Sequence, residues 1–231
     1  MKEIIKSLIF SFFYLKVNFY NYTPIILYLI FTQYFIKYTQ NLYLVIIFFL
    51  LYLFISSPLV VNIFRSIILN KNLSNYYFGF FKKNYTNLYI KKVFYILISV
   101  IVIYFLHLLI LSPFFNQNIS KFDFFLYILF LYLIYIYTRI LFILPAAALD
   151  ISKGLKDSYL FTKGNSIKIY ILYLSTILPY FLINMLISKY AQDSSAINFL
   201  VLVSILVQVY FTIIQSALFA YIYKSIIEKK V

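Results

Sequence analysis

Long apolar runs separated by short basic segments dominate the sequence. Six runs stand out, at residues 22–38, 42–61, 93–111, 122–144, 167–187 and 197–223. A helix needs about 20 largely apolar residues to cross a hydrocarbon core ~30 Å thick, and most of the runs are that long. They are apolar on all faces, whereas barrel strands alternate apolar and polar residues. We therefore predict an all-α polytopic membrane bundle of about six transmembrane helices, with residues 1–231 as one transmembrane domain.

The overall composition agrees with a membrane protein. Hydrophobic residues make up 65% of the chain and charged residues 11%, whereas soluble domains carry about 25% charged residues. The net charge of +14 would also suit nucleic acid, so the positions of the basic residues must decide.

The basic residues alternate between the two sides of the predicted bundle. The residues before the first run, the second and fourth connections and the tail hold 17 of the 20, and the other three connections hold one each, Lys37, Lys121 and Lys189. Basic residues near span ends stay in the cytoplasm, so both termini are predicted to be cytoplasmic. Lysines at these positions neutralise anionic headgroups, which favours membrane lipids as partners and argues against nucleic acid.

The cytoplasmic basic segments are predicted to form amphipathic interfacial helices. In residues 1–20 the apolar positions fall largely on one helical face, and they are Ile5, Leu8, Ile9, Phe12, Phe13 and Tyr20. The alternative is an extension of the following span. Gly79, Gly154 and Gly164 all lie in these segments, where a helix must end or turn.

The layout is also compatible with a threefold internal repeat of helix hairpins, with units 1–70, 71–151 and 152–231. Each unit carries Lys-x-Asn before its first span, at Lys16, Lys82 and Lys163, and the segments 57–68 and 216–227 end alike. Chance is the alternative, because the chain is rich in both lysine and asparagine.

The segment 139–170 contains the main candidate site, in the sequence RILFILPAAALDISKGLKDSYLFTKGNSIKIY. Pro145 should bend or stop the fourth span, and Arg139 could then reach phosphates or pair with Asp150. If the stretch is helical, Asp150, Gly154, Ser158 and Thr162 form one small polar stripe. A structural corner is favoured over a headgroup or substrate site, and both over catalysis. The candidate residues are Arg139, Pro145, Asp150, Ser158, Thr162 and Asn165.

These residues resemble a family of bacterial membrane proteins. Arg139, Pro145 followed by small residues, Asp150 and the stretch 158–165 are similar to the YciC-type inner-membrane proteins and, more distantly, to the membrane-anchor domain of glycerophosphodiester phosphodiesterases. The resemblance implies location in the bacterial inner membrane. The interval from Asp150 to Ser158 is about a turn shorter than in the family pattern. The chain has no phosphodiesterase domain, so it gives no reason to infer that activity.

No motif indicates an enzyme, and we expect no catalytic residues, cofactor or metal. Walker, dinucleotide, HExxH and GxSxG motifs are absent, and no acid lies in the middle of a span. The leading hypothesis is a non-enzymatic membrane protein of envelope organisation or lipid handling, with other membrane proteins as further partners. The alternative is a transporter or permease subunit for a small solute.

A few polar residues and one proline of the spans have two interpretations each. His107 is expected to be an interfacial residue rather than a ligand. For the amides, interhelical hydrogen bonding competes with a polar pathway, and these are Asn62, Asn184, Gln208 and Gln215. Pro179 is expected to kink the fifth span, and the kink either only shapes the bundle or forms a hinge.

Overall fold

The structure is a computed structural model, and it is a bundle of helices. It describes residues 41–70, 83–111, 131–191 and 197–228, together with positions 6, 9–11, 13, 14, 23, 26–32, 34, 35 and 39. In these ranges the helices are α1 (Leu42–Leu69), α2 (Asn84–Leu111), α3 (residues 131–140), α4 (Ile143–Ala148), α5 (Leu155–Phe161), α6 (Ser166–Ala191) and α7 (Ile197–Glu228). No strand occurs among the described residues, so the all-α prediction is confirmed.

Five segments of the described chain are long and apolar enough to cross a membrane. They are Leu42–Leu69, Asn84–Ile103, Leu131–Ala148, Ser166–Ile187 and Leu202–Glu228. The chain is therefore a multi-pass membrane protein. The first apolar run, 22–38, is described only in part, and its described positions are helical. The total of six spans stays a prediction.

Several helices continue well beyond their apolar runs. The run 42–61 predicts a connection at Arg65, but α1 extends to Leu69 and carries Arg65 within it. Helix α2 likewise begins at Asn84 and includes Lys91 and Lys92. Arg65, Lys91 and Lys92 therefore lie outside the apolar runs, as predicted, on helical extensions of the spans. Backbone hydrogen bonding continues a helix after its side chains turn polar, because a long basic side chain near the helix end reaches water or, as Arg65 does, a carbonyl of a neighbouring segment.

The tightly packed core lies at one end of the bundle. Helix α1 is buried from Ser56 to Phe64, and α7 buries Ala217, Leu218 and Ala220, where the two helices pack together. At the same end, Lys224 Nζ donates to Asn70 Oδ1 at 2.6 Å and thereby joins the carboxyl ends of α7 and α1. We call this the packed end.

Phe142 lies at the centre of an aromatic cluster in the packed end. Its ring centroid is 5.3 Å from that of Phe219, 6.2 Å from that of Phe161 and 6.4 Å from that of Tyr223. The cluster joins α7 to α5 and to the segment between α3 and α4.

The opposite half of the bundle exposes apolar side chains on several helices. The large exposed residues include Leu42, Ile46, Leu50, Ile98, Phe105, Leu178, Phe181, Leu182, Met185 and Phe199. Such a surface is expected where helices contact acyl chains, because lipid solvates these side chains.

The N-terminal segment packs against the packed end. Tyr14 and Ser66 share a hydroxyl–hydroxyl hydrogen bond of 2.7 Å, and the rings of Phe10 and Tyr221 have centroids 4.7 Å apart. Ile9 and Phe13, one helical turn apart, each expose 62% of their surface. One side of this segment therefore contacts the bundle, and the other presents large apolar side chains outward.

The ends of α1 and α7 share local hydrogen bonds at the positions that the sequence pairs. Ser57 and Ser216 donate to the carbonyl four residues back, at 2.6 and 2.7 Å. Ser66 and Ser225 donate to the carbonyl three residues back, at 3.0 and 2.8 Å. Serines in helices often make such bonds, so the threefold repeat stays a prediction.

Candidate functional site at the helical corner

The corner comprises residues 141–165, which connect α3 to α6 through two short helices. Helix α3 ends at residue 140, and α4 begins at Ile143 after a turn. Pro145 is the third residue of α4 and has no N–H to offer the carbonyl of Leu141. Leu144 N donates to that carbonyl instead, at 3.0 Å. The helix therefore breaks one turn before the proline, as the sequence predicts.

Helix α4 ends in a Schellman motif that places Asp150 in a left-handed conformation. Asp150 N donates to the carbonyl of Ala147 and Ile151 N to that of Ala146, both at 3.0 Å. The φ of Asp150 is +65°, and its side chain is exposed. Aspartate tolerates this conformation better than most residues do. Asp150 thus has a backbone role at the end of α4.

The carboxyl end of α4 also receives an arginine from another helix. Arg65 of α1 donates from Nη1 to the carbonyl of Ala148 at 2.9 Å, and its guanidinium carbon lies 4.0 Å from the ring centroid of Tyr85. A cation at the carboxyl end of a helix is stabilised by the partial negative charge there. Arg65 therefore fixes α1 and α2 to the corner.

Helix α5 is preceded by one glycine and followed, after a short turn, by another. Gly154 N donates to the Asp157 carboxylate at 2.8 Å, which caps the amino end of α5. After α5, Gly164 has a φ of +85° and turns the chain toward α6. Asn165 directly precedes α6, and its carbonyl accepts from Ile169 N at 3.0 Å. Two of the three predicted glycine boundaries are confirmed, and Gly79 lies outside the described residues.

Arg139 is buried inside the corner, where it joins α3 to α5. Only 4% of its surface is exposed. Its Nε donates to Thr162 Oγ1 at 3.0 Å and its Nη2 to the carbonyl of Tyr159 at 2.6 Å. The Tyr159 ring covers the guanidinium, with its centroid 3.3 Å from the guanidinium carbon. In return, Ser158 Oγ of α5 donates to the carbonyl of Arg139 at 2.6 Å.

The contacts of Arg139 and Asp150 correct two sequence expectations. Within the described chain, Arg139 bonds to neutral oxygens and pairs with no carboxylate, so the predicted pairing with Asp150 is wrong. Its burial also keeps it from headgroup phosphates. The predicted polar stripe from Asp150 to Thr162 is only partly present, because residues 151–154 are not helical. Ser158 and Thr162 share the buried face of α5, and Asp150 does not.

Arg65 is a corner contact that the sequence prediction did not include. The chain has only two arginines among 20 basic residues, and both donate to the carboxyl end of a short corner helix. A planar guanidinium offers several fixed donors, while lysine offers one strongly hydrated charge. The scarcity of arginine is therefore the signal by which Arg65 and Arg139 could both have been singled out.

The polar residues of the spans are partly explained by packing. Ser204 Oγ donates to Asn184 Oδ1 at 2.7 Å, which joins α7 to α6 as interhelical bonding predicts. Asn62 is buried, and its Nδ2 has no hydrogen-bond partner in the described part of the chain. Helix α6 continues through Pro179. The side chain of His107 lies outside the described residues.

No protein-family model, curated protein or solved structure matches this chain. The resemblance to the YciC-type family therefore stays a prediction.

The buried polar residues of the corner hold helices together, and its outer surface is basic. Lys156, Tyr159 and Leu160 are exposed on α5, and exposed Lys163 lies in the turn directly after the helix; we call these four residues the outer face of α5. In the described ranges, no cluster of three histidine, cysteine, aspartate or glutamate side chains is placed to hold a metal ion. Asp157 is engaged at the start of α5.

Proposed function

We propose that this chain is a non-enzymatic integral membrane protein that organises the cell envelope or handles its lipids through the packed end of the bundle. It acts through a rigid membrane-surface platform rather than through a reaction centre.

The observation that best supports this proposal is that the guanidinium of Arg139 is bound within the protein itself. A catalytic or phosphate-binding arginine must present its donors to a substrate. Two nitrogens of the Arg139 guanidinium donate to α5, and the ring of Tyr159 covers it. What the corner presents outward are lysines beside apolar side chains, the combination that binds a membrane surface.

The proposed location is the bacterial inner membrane, with both termini and the corner in the cytoplasm. The distribution of lysine and arginine supports this orientation, because 17 of 20 basic residues fall on the side assigned to the cytoplasm. The proposed partners are membrane lipids and other membrane proteins.

Copurification tests the proposed function against its alternative. The full-length chain is extracted in mild detergent from cells that express it at native level, and bound lipids and proteins are identified by mass spectrometry. The proposal predicts retained phospholipid and no stoichiometric ATPase. A stoichiometric ATPase would identify a permease subunit and refute the proposal. An unrelated polytopic membrane protein of similar size, purified in parallel, serves as the control for background lipid.

A further inference from the structure

The buried side of the corner carries polar residues that bond to α3, whereas its exposed surface carries lysines and large apolar side chains. On the buried side, Ser158 and Thr162 bond to α3. On the outer face, Tyr159 exposes 54% and Leu160 52% of their surface, with exposed Lys156 and Lys163 at either end. A lysine thus lies one turn before this apolar pair on α5, and a second lysine lies in the turn that follows the helix.

The position of the corner relative to the spans fixes its depth. The membrane-crossing segment Leu131–Ala148 ends at the carboxyl end of α4, and the segment Ser166–Ile187 begins directly after the corner. The residues between them must lie at a membrane surface. Because Ser158 and Thr162 hold α5 to α3, the exposed side chains of Lys156 and Leu160 point away from α3. The Tyr159 ring lies over the Arg139 guanidinium and still exposes 54% of its surface.

We propose that the outer face of α5 binds anionic phospholipid, with Lys156 and Lys163 on the headgroup phosphates and with Tyr159 and Leu160 at the top of the acyl chains. This inference rests on the proposed function and names its ligand. Lysine stems lie along apolar surface while their ammonium groups stay at headgroup level. Tyrosine suits the boundary because its ring is apolar and its hydroxyl is polar.

The positive charge of the outer face favours anionic phospholipid as its ligand. The outer face carries two cations and no carboxylate, while the carboxylates of Asp157, which accepts from Gly154 N, and of exposed Asp150 lie elsewhere on the corner. An anionic leaflet attracts each such lysine by the equivalent of about fivefold in local lipid concentration, or ~1 kcal/mol. A neutral lipid surface offers no such preference.

The chain lends itself to a direct test because it contains no tryptophan. Tyr159→Trp places a single fluorophore on the outer face, and stacking on Arg139 is retained because tryptophan also binds cations through its ring. The full-length variant is reconstituted into vesicles of phosphatidylglycerol and phosphatidylcholine, with either the first or the second lipid brominated. The ratio of quenching by the two, corrected for mole fraction, measures which lipid contacts position 159.

We expect a ratio between about five and twenty-five at position 159. It should fall at least about fivefold in the Lys156→Gln/Lys163→Gln variant. Lys83→Gln/Lys91→Gln is the matched control, since both lysines are exposed at the start of α2, and it should leave the ratio within about twofold. Phe181→Trp, on an exposed apolar position of α6, should give about equal quenching by both lipids.

Two results would overturn the inference. The first is equal quenching by both lipids at position 159, or a ratio that the Lys156→Gln/Lys163→Gln variant leaves unchanged. The second is no quenching by either lipid, as a protein partner or water on this face would produce. Leu160→Trp repeats the measurement in case the Tyr159 substitution disturbs the corner. Either failure leaves the copurification result standing, whereas an ATPase partner would refute the proposed function whatever the ratio.

Discussion

Arg65 and Arg139 use their charge to secure helix ends. Each donates to a carbonyl at the carboxyl end of a short helix, Arg65 to Ala148 and Arg139 to Tyr159. These ends carry unpaired carbonyls and partial negative charge. Both residues therefore stabilise helices that are too short to be stable alone.

Replacing Arg139 with lysine should destabilise the protein despite the conserved charge. Lysine cannot match the two donor positions that reach Thr162 and the Tyr159 carbonyl, and its ammonium is more costly to bury. We expect a loss of ~2 kcal/mol, and a similar loss for Arg139→Gln. The measurement is the thermal midpoint in mild detergent, read from loss of the monodisperse elution peak. Lys91→Gln, an exposed change on α2, is the control, and an unshifted midpoint for Arg139→Lys would contradict the account.

Substitutions of Asp150 test whether the fold requires its backbone conformation or its carboxylate. Its φ of +65° is costly for β-branched residues and easy for asparagine and glycine. Asp150→Val should cost ~1–2 kcal/mol, while Asp150→Asn and Asp150→Gly should stay within about 0.5 kcal/mol of the parent. The same thermal assay compares all three. If Asp150→Asn were as damaging as Asp150→Val, the carboxylate itself would be required, and the backbone role assigned to Asp150 would be wrong.

At the scale of elements, the sequence predicts where the corner helices end but not what they contact. Pro145 and Gly164 act through their own backbone chemistry, so the break before α4 and the turn before α6 follow from single residues. The partner of Arg139 does not follow. Thr162 is 23 positions away, and the non-helical residues 151–154 set the geometry between them. The bend at Pro145 therefore suggested Asp150 as the partner, whereas the structure places Thr162 beside the arginine.

The hydrogen bond between α6 and α7 should contribute modestly to the packing of these helices. Ser204→Ala removes the donor to Asn184, and such bonds within membranes average ~0.6 kcal/mol. Ser175→Ala is the matched control, since Ser175 donates to a carbonyl of its own helix. Reversible unfolding in mixed micelles should show the larger loss for Ser204→Ala. Equal losses would indicate that the interhelical bond adds nothing.

At the scale of the whole molecule, apolar run length predicts the multi-pass architecture and underestimates the helices. Hydropathy marks the part of a helix that lipid covers, whereas hydrogen bonding sets where the helix stops. Helix α7 accordingly extends to Glu228, beyond the apolar run that ends at residue 223. The packed end was also not predictable, since burial there depends on contacts between α1 and α7 that are far apart in sequence.

The orientation of the bundle links its architecture to the proposed role, because the basic outer face of α5 meets an anionic cytoplasmic leaflet only if the corner lies inside the cell. The chain has no cysteine, so Lys121→Cys and Lys156→Cys each introduce a single thiol. The direct measurement is labelling of these thiols in intact cells with a membrane-impermeant maleimide, with permeabilised cells as the control for reactivity. The account predicts labelling at position 121 in intact cells and at position 156 only after permeabilisation. Labelling of position 156 in intact cells would contradict it.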